Sequence, residues 1–240
     1  LTVLAGVGLL TSFGIPRVAP ADTLKKLNYN ILGEIWNNLK VMKADRDLWR
    51  ANWGNTAFFF VATLVQINLA LYAQQVFKLM PTEQAWLQAA LSLGIGAGSA
   101  LAGRLSGGHI EYGLIPPGAS LMAIAAFWMG WPEIGKGEFT TALTLLGLGG
   151  GLFIVPIVSV LQHRPSKQTK GAVQGAANWL SWVGIAAAAI TQTLLSGPAN
   201  LSYGQIFWAC GAIAGVTGGF VTWSRPGALP QMLARWRGKH

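Results

Sequence analysis

The sequence predicts an all-α membrane protein: a bundle of six transmembrane helices, preceded by the end of a truncated helix and a cytoplasmic linker. Three observations predict it. Six apolar stretches of roughly twenty residues follow one another at 52–73, 86–105, 112–131, 139–161, 172–195 and 204–223, each long enough to cross about 30 Å of hydrocarbon. The chain is 52% hydrophobic and only 10% charged, against roughly 25% charged in an ordinary soluble domain. Finally, if the stretches alternate direction, the 17 Lys and Arg residues sort by side. All of them except Lys78 and Lys136 fall on the side of the linker and the C-terminal tail, which is the positive-inside pattern.

Residues 1–16 are apolar but too short for a full crossing, and they carry neither the basic start nor the small-residue cleavage site of a signal peptide. They are expected to be the end of a span whose beginning is cut away. Residues 17–50 form a polar, cytoplasmic linker with seven basic residues. Within it Ile31, Ile35, Leu39 and Met42 recur at helical spacing opposite Glu34, Asn38 and Lys40, so an amphipathic helix is expected there. Residues 51–224 hold the six-helix bundle. The tail, 225–240, carries a Leu229, Met232, Leu233 and Trp236 stripe among Arg235, Arg237 and Lys239, a pattern that anionic lipid attracts. The net charge of +9 is read as a topology signal, with no nucleic-acid partner expected, because the basic residues lie in the loops of one face.

Within the spans no Asp, Glu, Lys or Arg lies deep, but amides line up. On the first, Asn52, Asn55, Thr63 and Gln66 advance in steps that keep them on one helical face; on the fifth, Gln174, Asn178 and Ser181 share a stripe with Trp182 beside it. For any one residue, an interhelical hydrogen bond is a sufficient account. Taken together, the stripes are expected to wall a partly hydrated cavity that binds a substrate head group. Gly94 and Gly98 form a small-xxx-small ladder for close helix approach. In the fourth span Gly147, Gly149, Gly150 and Gly151 precede Pro156, a combination expected to act as a hinge, and Pro117 is expected to kink the third span. No metal or cofactor and no enzymatic activity are expected. His109, His163 and His240 lack metal-ligand spacing, Cys210 stands alone, and there is no GxxxxGK phosphate loop.

A basic linker followed by six spans and preceded by the end of another fits the second half of a twelve-span transporter built from two six-helix bundles; a seven-helix receptor is the competing count, disfavoured by the long linker. The run from Ala102 through Arg104, Gly107, Gly108 and Glu111 to Pro116 resembles the loop between the second and third helices of a major facilitator half. It is most similar to the lysophospholipid-transporter branch, including forms fused to an acyltransferase and an acyl-carrier-protein ligase. Gly150 to Pro156, then Leu161 to Arg164, and Lys170-Gly171 with Asn178, resemble that branch's corresponding segments. The loop departs from the general pattern in carrying Ser106 and His109 where stronger charges are usual, and Ile157, Val158 and Ser159 follow the Val-Pro where relatives often carry an Asn.

The resemblance implies half of a major facilitator fold in the bacterial inner membrane, moving lysophospholipid by alternating access, with Arg104 and Glu111 as a cytoplasmic gate. It also implies an N-terminal six-helix half and an acyltransferase as partners, besides membrane lipid itself. The alternatives are a drug or metabolite exporter of the same fold and a non-transporting membrane module that recruits a lipid acyltransferase.

Overall fold

The computed structural model describes residues 2–15 and 30–223. The expectations placed on Arg17, Lys25 and Lys26, and on the tail stripe of Leu229 to Trp236, lie outside the described residues. Within them the chain is helical, with no strands: α1 (Thr2–Ser12), α2 (Ile31–Ala44), α3 (Arg46–Gln75), α4 (Pro81–Ser106), α5 (Ile115–Met129), α6 (Lys136–His163), α7 (Lys170–Ser196) and α8 (Tyr203–Trp223). A short 3-10 turn, Tyr112–Leu114, leads into α5. Six helices are long and apolar enough to span a membrane: α3, α4, the turn with α5, α6, α7 and α8.

Local chemistry sets the boundaries. Asn30 caps α2 by accepting the Gly33 N–H at 2.9 Å, and the stripe then turns inward: Met42 is buried and Leu39 packs on the core, while Leu32 and Trp36 are exposed. One residue ends α2 and starts α3. Asp45 takes an extended conformation that no helix can continue through, and its carboxylate accepts the Asp47 N–H at 2.9 Å and the Leu48 N–H at 3.4 Å. Pro81 opens α4, where Glu83 reaches back to the Met80 N–H at 2.8 Å. Gly107 closes α4 in the left-handed region, φ 54°. Pro116 and Pro117 occupy the first turn of α5, where a missing N–H leaves no carbonyl unpaired; they start the helix, and the expected kink is not needed.

α6 is the central helix, packing against α4, α5 and α3. α5 also packs against α8, and α3 against α7 and α8, with α2 laid across α7 and α3. At the end away from the linker an aromatic cluster locks α3, α6 and α8 together. Tyr72 stacks on Phe139 at 4.9 Å between centroids, and Phe77 and Phe207 meet both edge-on. α4 and α7 are the least covered spans, with 28% and 22% of their apolar windows buried. The bundle therefore has a packed side and a bare side.

Candidate functional site

The two amide-bearing helices, α3 and α7, run side by side, and their polar residues meet along the seam. Asn55 donates to Ser181 Oγ at 2.8 Å, and that hydroxyl donates to the Ala177 carbonyl at 2.9 Å. Gly184 permits the approach, since a Cβ there would lie 2.9 Å from the Thr56 carbonyl oxygen. One turn from Asn55, Asn52 is fully buried, and among the described residues neither its amide nitrogen nor its amide oxygen has a partner; the Thr56 hydroxyl has none either. Toward the far end, Asn68 donates to the Tyr203 carbonyl at 2.8 Å, and Gln192 donates to Asn68 at 3.4 Å. Asn68 and Gln192 thus tie α3, α7 and the start of α8, a network that spacing alone does not reveal because Asn68 lies off the α3 stripe.

The remaining candidates face outward. Gln66, Asn178 and Trp182 are exposed, and Thr63 and Gln174 are half-buried, with Gln174 donating to the Leu161 carbonyl at 3.4 Å. Gln66 borders a void of about 30 Å³ between α3, α4, α5 and α6, walled by Phe58, Leu91, Met122 and Leu146, and no residue of α7 lines it. The expected common cavity wall is therefore resolved into two parts. Asn52, Asn55 and Ser181 close a seam, and Gln66, Asn178 and Trp182 lie on the bare side. The physical reason is proximity. Helices this close bond their amides to each other before any solute can enter.

At the linker end Arg104 is exposed and makes no ion pair with Glu111, which is buried. A cleft of about 610 Å³ opens there, lined by Ser106, His109, Glu111, Pro156, Ser159 and His163. The ion pair that closes this end is another one. Arg164, capping the C-terminus of α6, donates to Asp45 at 2.7 Å and meets Asp47 at 2.9 Å. Burial pushes the Asp45 carboxyl up, but the Arg164 hydrogen bond and the Asp47 and Leu48 amides outweigh it and hold the group below its ordinary value. The Asp45 hydrogen bond pushes the Arg164 guanidinium up. The sequence signal was available: two carboxylates and one arginine in loops of the same side. In this conformation a clasp joins the α2–α3 corner to the C-terminus of α6, apart from the positions of Arg104 and Glu111.

Residues 1–189 match the Major Facilitator Superfamily. The chain belongs to that superfamily. It is a multi-pass membrane transporter by family and by its six apolar helices. No curated protein matches it.

In this facilitator bundle the small residues pack helices. A Cβ at Gly94 or Gly98 would overlap the carbonyls of Thr144 and Leu148 on α6, and Gly147 and Gly151 are pressed as closely against the α4 backbone. Gly149 meets α5 at Gly118, whereas Gly150 touches only the Phe58 ring, 3.4 Å from its would-be Cβ. Pro156 is buried inside an unbroken α6, and Ser159 turns its hydroxyl back to the Val155 carbonyl at 2.8 Å. The region expected to hinge serves here as the face on which α4 and α5 are stacked.

Proposed function

We propose that this facilitator moves lysophospholipid across the bacterial inner membrane by alternating access, delivering it to the cytoplasmic leaflet for re-acylation. One observation carries the reading: Gln66, Asn178 and Trp182 are exposed on the sparsely covered side at membrane depth. Trp182 lies 12 residues into α7, about 18 Å from its start, far from the interfacial level where an indole anchors a helix. Amides and an indole presented there need water or protein opposite them, since hydrocarbon leaves their hydrogen bonds unmade. A second six-helix bundle facing α4 and α7 would supply that wall and enclose a neutral, amide-lined space between the halves. Such a space suits a zwitterionic head group, with the aliphatic and aromatic flanks taking the acyl chain.

The likeness of the 102–116 loop to the lysophospholipid branch supports the cargo. The sorting of Lys and Arg supports a cytoplasmic linker and tail, and an acyltransferase acting on the product is the natural partner of such transport. The buried, unbonded amide of Asn52 supports a seam that rearranges: leaving such a group unsatisfied costs about 1–3 kcal/mol, a strain that another conformation relieves. The test is uptake of labelled lysophosphatidylethanolamine by vesicles carrying the full-length protein. Gln66→Leu and Asn178→Leu, at the exposed positions that carry the reading, are expected to lower uptake with expression unchanged; wild-type uptake in both refutes the substrate-path assignment.

A further inference from the structure

The outer surface between α3 and α8 holds a groove of about 430 Å³ that the transport reading does not use. Its size falls within the roughly 300–1,000 Å³ of ordinary ligand sites. The two helices run antiparallel, so Arg50, Trp53 and Phe220 form its mouth at the linker end, and Ala57 and Val216 line its inner part. From Arg50 to Ala57 is about 10 Å along α3. The walls are apolar, and Thr217, the other polar residue in it, spends its hydroxyl on the Ile213 carbonyl at 2.8 Å. Trp53, Val216 and Phe220 are 50%, 73% and 51% exposed.

Arg50 is the unusual member. It is half-buried, and among the described residues it makes no hydrogen bond or ion pair. The carboxylates nearest in sequence, Asp45 and Asp47, are held by Arg164. A guanidinium matches the bidentate geometry of a phosphate. The Trp49 and Trp53 rings, edge to face at 5.7 Å, stand beside it at the level where indoles meet head groups.

We infer that this groove binds an anionic phospholipid from the surrounding bilayer, its phosphate on Arg50 and one acyl chain along Ala57, Val216 and Phe220. The charge decides between occupants. The 225–240 tail, joined to the end of α8, is basic and is repelled by Arg50, whereas a phosphate is attracted. This site lies on the outside of the α3–α8 pair, apart from the amide seam, so it stands or falls independently of the cargo.

Native mass spectrometry of the purified chain in neutral detergent, with phosphatidylglycerol or phosphatidylcholine of matched acyl chains, tests it. The wild type is expected to prefer phosphatidylglycerol by about fivefold, the scale of one basic residue near an anionic lipid, because both phosphates can reach Arg50 but the choline cation offsets the charge of the second lipid. Arg50→Gln should abolish that preference by weakening phosphatidylglycerol more than phosphatidylcholine, and Arg50→Lys should keep most of it. Val216→Trp, at an exposed position that folding tolerates, should weaken both lipids by filling the groove. Full preference retained in Arg50→Gln, or unaltered binding in Val216→Trp, overturns the proposal. So does a variant ending at Trp223 that gains several-fold for both lipids, because the tail would then be the occupant.

Discussion

Gly151→Ala is the smallest change that probes how this bundle is held together. A Cβ on Gly151 would stand 2.6 Å from the Ile95 carbonyl oxygen and 2.7 Å from the Gly98 carbonyl carbon, where ordinary contact begins at 3.4 Å. Both neighbours are backbone, so no rotamer change relieves the overlap. α4 and α6 must separate by about 0.8 Å, and the paired contacts at Gly94, Gly98 and Gly147 loosen with them. Overpacking of this kind costs about 1–3 kcal/mol; the better helix propensity of alanine returns at most about 1 kcal/mol. A net destabilisation of about 1 kcal/mol is expected. Gly96→Ala is the control, because a Cβ there meets nothing within 4 Å and only the propensity gain remains. The two variants make the same chemical change, so the propensity gain cancels and they should differ by the overpacking cost, about 2 kcal/mol. Reversible unfolding in mixed micelles with sodium dodecyl sulfate, followed by circular dichroism, measures the difference. Equal stability of the two variants would refute the close-packed α4–α6 interface.

Three further outcomes are expected. Asn52→Leu removes a buried amide that bonds to nothing, so the same unfolding assay should show it at least as stable as wild type, with slower transport; a loss of more than about 1 kcal/mol would mean the amide is bonded after all. Asp45 contributes its depressed-carboxyl stability in full above its ordinary 3.8 and loses it as pH falls below that value. The clasp is partly solvated, so the effect on a pH melt is below about 1 kcal/mol, and Arg164→Gln should flatten it; an unchanged acid limb in that variant rules the clasp out. Cysteines placed at Asn200 and Gln168 should label from outside and inside the cell respectively, and the reverse pattern overturns the orientation.

The helices were legible because their signals are local. Apolar runs of bilayer length and the amphipathic spacing of α2 act within a turn or two of themselves, whereas the Asp45 break between α2 and α3 and the prolines as helix starts emerge only in the structure. The glycine ladder at Gly94 and Gly98 was legible as a contact surface, though not its target. The candidate site was legible only by residue type. Asn55 and Gln66 share a stripe, yet one bonds Ser181 across the seam and the other looks outward. Helical phase drifts along a 30-residue helix, and neighbours on either side differ from turn to turn.

The sequence by itself determined that this chain spans a membrane six times, which of its ends carry the positive charge, and which helices bear amides. Those properties follow from hydration of single segments, which each segment settles against the bilayer alone. Tertiary structure decided that α6 is the hub, that Arg164 clasps the α2–α3 corner, and that Arg50 is left facing an apolar groove. Pairings of this kind depend on which helix faces which, at separations of more than a hundred residues, and no local pattern encodes them.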